Sequence, residues 1–195
     1  MDGFENIRNS FRLLYLFTRR VLDLMKYIKK QFNIEYIGGY PLFSKPSPGN
    51  GGGLLDNWAW DWLNFYFYEF KFEKENIKLS IILQSDTGMW DKKDVKYYEL
   101  DKFEVAAKSK TKLIFVFKNN GSLDIDDKVT GNETLIKGNY KNKDVILDND
   151  NNNMYCMVFN INEFQNKKLT DNSLKKFINY LNENSIFDIT PDRLS

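Results

Sequence analysis

The sequence predicts an α+β domain: a long N-terminal amphipathic helix and a C-terminal helix packed on a mostly antiparallel β-sheet. Three observations predict it. An apolar stripe of helical period runs through residues 3–33, short runs rich in aromatic and β-branched residues fill much of 58–160, and a second helical stripe closes the chain over 171–184. The strand-like runs lack the regular helical crossovers that a parallel doubly wound sheet requires. With 195 residues, 42% of them hydrophobic and 16% aromatic, the chain suits one domain, 1–195, with a real core.

In the first element Phe4, Ile7, Phe11, Leu14, Val21, Met25, Ile28 and Phe32 recur at helical spacing, so they are expected to dock this helix on the sheet. Arg8, Arg12, Arg19, Lys26 and Lys30 form a second stripe on its solvated back. Residues 38–56 follow as a Gly/Pro-rich loop, Gly38-Gly39-Tyr40-Pro41 and then Pro46-Ser47-Pro48-Gly49-Asn50-Gly51-Gly52-Gly53. A loop this long is a mobile rim to a site or a plain linker. Its glycines end in no Gly-Lys-Ser/Thr, so they make no phosphate loop.

From Trp58 to Phe72 the chain carries nine aromatics, then the turn Lys74-Glu75-Asn76 and the run Ile77 to Gln84, which together read as a β-hairpin. Lys112 to Lys118 (KLIFVFK) reads as a central strand. Val145 to Leu147 and Tyr155 to Phe159 read as two more, joined by an Asn/Asp turn at 148–153. Residues 95–110 are ambiguous, open to a strand at Tyr97 to Leu100 with a short helix through Val105-Ala106-Ala107. The last helix is expected to be capped by Thr170 or Asp171, with Leu174, Phe177, Ile178 and Leu181 as its apolar stripe.

Composition excludes more chemistry than it suggests. With no histidine, Ser-His-Asp and Cys-His triads, His-ligated zinc and His proton shuttles are all impossible. A lone Cys156, in an apolar strand, excludes a disulfide framework or thiolate cluster and reads as an inert core thiol. The net charge of +1 implies no polyanion partner by itself. Its distribution is less even: residues 1–34 hold seven bases against three acids, which leaves the rest at −3. Four of the five arginines, Arg8, Arg12, Arg19 and Arg20, lie in the first helix of a chain whose default cation is lysine (23 residues). Arginine there points to planar, bidentate recognition, and nucleic acid is one partner it could serve. The bias toward Asn, Lys, Ile, Tyr and Phe suggests a low-GC bacterium or phage. The longest apolar run in the first helix, Leu13 to Phe17, is too short for a signal or a membrane span, and one thiol suits a reducing cytoplasm.

The sharpest chemical constellation is Glu69-Phe70-Lys71. On a strand Glu69, Lys71 and Glu73 share one face while Tyr68, Phe70 and Phe72 take the other. Asp61 has the same parity, and Asp56 lies 13 residues before Glu69. This arrangement resembles the PD-(D/E)xK nuclease superfamily, in which an acid and then an acid-x-Lys hold Mg²⁺ or Mn²⁺ and position a water. The resemblance implies Asp56 or Asp61 and Glu69 as metal ligands, Lys71 as the electrostatic or water-positioning group, and Glu35 or Glu5 as a further acid from the first helix. The competing reading is a cross-strand ion pair at the exposed end of a hairpin, with Lys71 or Lys78 as the partner.

Trp58, Trp60, Trp62, Tyr66 and Tyr68 would form one aromatic face if the strand reaches back that far. That face would be the packing surface for the first helix or a stacking platform. Asp148-x-Asp150 opens like a calcium loop but lacks its glycine and closing glutamate, and Ser173-x-x-Lys176 is a helix start. No cofactor is implied outside the nuclease resemblance. The leading expectation is therefore a small non-catalytic binding or interaction protein, such as an immunity or anti-defence accessory, whose partner is another protein. A divalent-metal nuclease is the alternative, and a nucleic-acid binder using the four arginines the third.

Overall fold

A computed structural model describes residues 3–42, 59–92, 94–96, 98–119, 145–147 and 154–183. Helix α1 (Gly3–Phe32) is followed by strands β1 (Glu35–Pro41), β2 (Phe67–Lys74), β3 (Ile77–Gln84), β4 (Lys112–Asn119), β5 (Val145–Leu147) and β6 (Met154–Asn160), and by helix α2 (Lys167–Glu183). The strands form one sheet in the order β1-β2-β3-β4-β6-β5 with every pairing antiparallel. The expected α+β class is what the chain adopts.

Helix α1 ends where Asn33 takes a left-handed φ of 51° and Ile34 N–H bonds back to the Lys29 carbonyl at 3.2 Å. Ile34 is itself buried, which completes a Schellman-type stop. Strand β1 was not legible, because its Gly38-Gly39-Tyr40-Pro41 looks like a loop. The structure instead pairs Gly38 through Pro41 with Lys71 through Tyr68, after a bulge between Tyr36 and Gly38. An edge strand can carry a proline and a bulge, since only one side needs its ladder. Gly39 is required there: a Cβ would lie 2.3 Å from the Glu69 carbonyl oxygen.

The hairpin of β2 and β3 forms as expected, with Glu75 at φ 53° in its turn. Strand β2 begins at Phe67, however, not at Trp58. Ala59–Trp62 and Asn64–Tyr66 are 3-10 turns, so Trp60, Trp62 and Tyr66 do not line up on a strand; Trp58 lies outside the described residues. The described residues of 95–110 hold neither the strand nor the helix expected there. Leu100–Lys102 is a 3-10 turn and Lys108 N–H closes a turn on the Val105 carbonyl at 2.8 Å. Helix α2 starts four residues before the expected cap. Asn166 caps it by accepting from Leu169 N–H at 3.0 Å, and Thr170 and Asp171 lie inside the helix. The turn at 148–153 lies outside the described residues.

Both helices cover the same face of the sheet. Val21, Met25 and Ile28 of α1 and Leu174, Phe177, Ile178 and Leu181 of α2 share one core with Phe70, Phe72, Leu79, Ile81, Leu83, Leu113, Phe115 and Phe159. Edge-on ring contacts from Phe177 to Phe115 and to Phe32 tie the layers together. The opposite face is buried as well along the central strands, at Ile82, Ile114, Val116 and Cys156. Trp90 packs on Phe67 and Tyr66 at one end of it.

The first half of α1 departs most from expectation. Residues 3 through 16 are exposed, including Phe4, Ile7, Phe11 and Leu14, which the sequence assigns to the docking stripe. The stripe is continuous over the helix, but burial begins only at Val21. A helix of 30 residues is ~45 Å long, more than this sheet can cover.

Candidate functional site

Two features of the described residues stand apart from core packing. The first lies on the sheet face away from the helices. Register places Glu69 between Tyr40 of β1 and Ile82 of β3, and Lys71 opposite Ser80, so their side chains share that face. Glu69 is fully buried, at 0% exposure. This corrects the reading of an acid at the exposed end of a hairpin: Glu69 sits mid-strand, covered on every side. Its Oε1 accepts a hydrogen bond from Ser80 Oγ at 2.5 Å. Its Oε2 has no hydrogen-bond donor and lies 3.9 Å from Lys71 Nζ. The Lys71 ammonium stands 4.6 Å above the Tyr40 ring and keeps about a quarter of its side chain in solvent. A buried carboxylate thus meets a rim cation across a gap too long for a good hydrogen bond. Lys78 is not part of this pair; it lies 3.7 Å from Glu73.

Two strand positions from Ile82, Gln84 is buried on the same face with its Nε2 unpartnered. The sequence signal for Ser80 and Gln84 as buried polar groups is that both interrupt the apolar run of β3 at the parity of Lys78. Beyond Gln84 the chain enters a hydrogen-bonded loop. Thr87 Oγ1 donates to Asp91 at 2.5 Å and accepts from Lys110 N–H at 2.9 Å, while Asp86 Oδ1 accepts from Gly88 N–H at 2.8 Å.

Of the other acids implied by the nuclease resemblance, the two that are described, Glu35 and Glu5, are not brought to Glu69. Asp56 lies outside the described residues, as does the side chain of Asp61. Glu35 belongs to β1 rather than to the first helix and pairs with Lys29 at 2.5 Å. Glu5 is in the first turn of α1, sixteen residues or ~24 Å of helix before Val21. Strand β2 runs into β3, with no helix between them. Among the described residues no group of three acidic or thiol side chains could hold a metal ion. Among the described residues Glu69 is the acid with a buried carboxylate oxygen that lacks a hydrogen-bond donor, the kind of oxygen a hard cation takes.

The second feature is α1. Leu13, Leu14, Tyr15 and Leu16 are consecutive, so they point in four directions, and all are exposed, Leu13 at 67% and Leu16 at 58%. The sequence signal was present in that run of apolar residues, which no single stripe accounts for. Arg8, Arg12 and Arg19 are exposed on the opposite side from the Val21-Met25-Ile28 stripe. Arg20 is different: its guanidinium donates to the Gln165 carbonyl, joining α1 to the turn before α2. Below that bond a cleft of about 450 Å³ opens between the helices, walled mainly by Phe17, Leu24, Ile161 and Phe164. At its foot the Tyr27 hydroxyl donates to Asp171.

Fold and surface together define a two-layer α+β domain with an overhanging amphipathic helix and a buried acid-lysine pair on its far sheet face. The chain belongs to the PM0109 family, whose model matches residues 2–186. No curated protein and no solved structure matches it. No helix among the described residues is long and apolar enough to cross a membrane.

Proposed function

We propose that this protein is a non-catalytic interaction module that grips another protein through the first half of α1. One observation carries the reading: large apolar side chains, from Ile7 through Leu16, stand exposed on a helix whose remaining length is anchored in the core. Exposed apolar area on this scale, rimmed by arginines, is the composition of a binding surface and not of a solvated one. The test is a photo-crosslinking amino acid at Leu13, with a second at exposed Glu75 in the β2–β3 turn as the control. A discrete protein adduct at position 13, absent at 75 and lost on Phe11→Asp, is expected. Failure to form any adduct at position 13 in cells of the source organism would overturn the reading.

A second reading is favoured by the Glu69 geometry: a divalent-metal phosphodiesterase in which Glu69 would supply a metal ligand and Lys71 a charge for the developing phosphorane. What supports it is a buried carboxylate oxygen with no donor of its own beside a rim cation. Mn²⁺ titration by calorimetry, with labelled DNA and RNA as substrates, decides between the two. Metal binding and cleavage that disappear in Glu69→Gln support the enzyme, whereas heats and substrates unchanged by Mn²⁺ retire it.

A further inference from the structure

We propose that the cleft between α1 and α2, with the exposed turns of α1 above it, is a groove for an acidic amphipathic helix of the partner. The proposal rests on the interaction reading and names the partner's chemistry. Leu13 stands four residues before Phe17, and Phe17 stands seven before Leu24, so one row of apolar side chains leads from the overhang down into the cleft. Leu13, an exposed leucine that no core-facing stripe explains, continues the row of the cleft's wall. At about 450 Å³ the cleft holds a bulky anchor side chain, and aromatic and aliphatic walls suit one. An anchor in a cleft with further apolar contacts along a neighbouring helix is how a helix docks in a groove.

Charge selects the occupant. Arg12, Leu16 and Arg20 follow each other at four-residue spacing, so two arginines border the apolar row along its length. Lys167 lies on the opposite lip. Asp23, the acid lining the cleft on the α1 side, lies 3.4 Å from Lys26. A second copy of this chain would bring its own α1 arginines against that border, and like charges repel. A helix carrying one bulky apolar anchor and flanking Asp or Glu satisfies both the shape and the charge.

The test selects a displayed library of short amphipathic helices, with anchor and flanking positions randomised, on the whole chain. Enriched peptides are expected to share a bulky apolar anchor and acidic flanks. Their affinity should fall about tenfold or more with Gln165→Trp, which fills the cleft mouth, and again with Arg12→Glu combined with Arg20→Glu. If circular dichroism shows Gln165→Trp unfolded, Phe17→Ala replaces it. Peptides without acidic bias, or bound equally by the variants, overturn the proposal. So does binding only to phosphatidylglycerol vesicles, or dimerisation through α1 in sedimentation. An adduct at Leu13 alongside such a failure removes the acidic-helix partner and leaves the interaction reading standing; absence of both removes both.

Discussion

At the scale of single residues, Glu69 is a charged group buried at a cost. A buried carboxylate costs several kcal/mol in desolvation, and here one hydroxyl and a lysine at 3.9 Å are all that offset it. Glu69→Gln keeps the volume and an acceptor for Ser80 while removing the charge, and Lys71 can turn to solvent. The expected outcome is a gain of about 1 kcal/mol in urea unfolding, the sign seen where a polar group is kept for function at the expense of stability. A loss of similar size would make Glu69 a structural residue instead. Gly39 gives a prediction of opposite sense. Its absent side chain lets β1 lie against the Glu69 carbonyl, so Gly39→Ala should cost about 1–3 kcal/mol by forcing the two strands apart. Neither effect was visible in the sequence: acid-x-Lys has the parity of an exposed pair, and Gly-Gly-Tyr-Pro has the composition of a turn.

At the scale of elements, α1 divides into a half that folds the protein and a half that does not. Met25→Ala and Ile28→Ala remove side chains with 4% and 0% exposure and should each cost about 2–5 kcal/mol. Phe11→Ser and Leu14→Ser should cost far less, about 0.5 kcal/mol each, because those side chains are exposed on the helix surface and not buried in the core. Denaturant melts of the four variants check the contrast directly. The periodicity that makes the helix legible runs unbroken through both halves. Period reports that a face is apolar; it does not report what covers that face, and the sheet is too narrow to cover all of it.

At the scale of the whole molecule, the two helices are joined by a titratable bond. Burial, and then the Asp171 carboxylate beside it, push the Tyr27 phenol from about 10 up to about 12. Burial and then Tyr36 raise Tyr68 to about 12 as well. Below pH 10 both phenols are protonated in the folded and unfolded chain alike, and their contribution is complete. Between about pH 10 and 12 the unfolded chain sheds these protons first, so folding stability declines as pH rises. Tyr27→Phe, which loses the Asp171 bond, should be less stable than wild type by about 1 kcal/mol at pH 8. That gap should close as pH passes from 10 to 12, measured by urea unfolding at each pH. A gap constant across the range would mean that the bond does not hold the helices together.

What the sequence by itself determined was the class of fold and most of its parts: α1, the β2–β3 hairpin, β4, β5, β6, α2 and their antiparallel sense. Those follow from short-range period, turn residues and β-branched runs, which act within a few positions. Only the tertiary structure decided that Glu69 is sealed inside the molecule, that Gly38–Pro41 is an edge strand, and that the first half of α1 overhangs the core. Each of these depends on which distant residues become neighbours: Tyr40 and Ile82 on either side of Glu69, Tyr68 against Pro41, and Gln165 against Arg20. Burial is a property of that arrangement, so composition and spacing could propose the site residues but not say which of them lie in water.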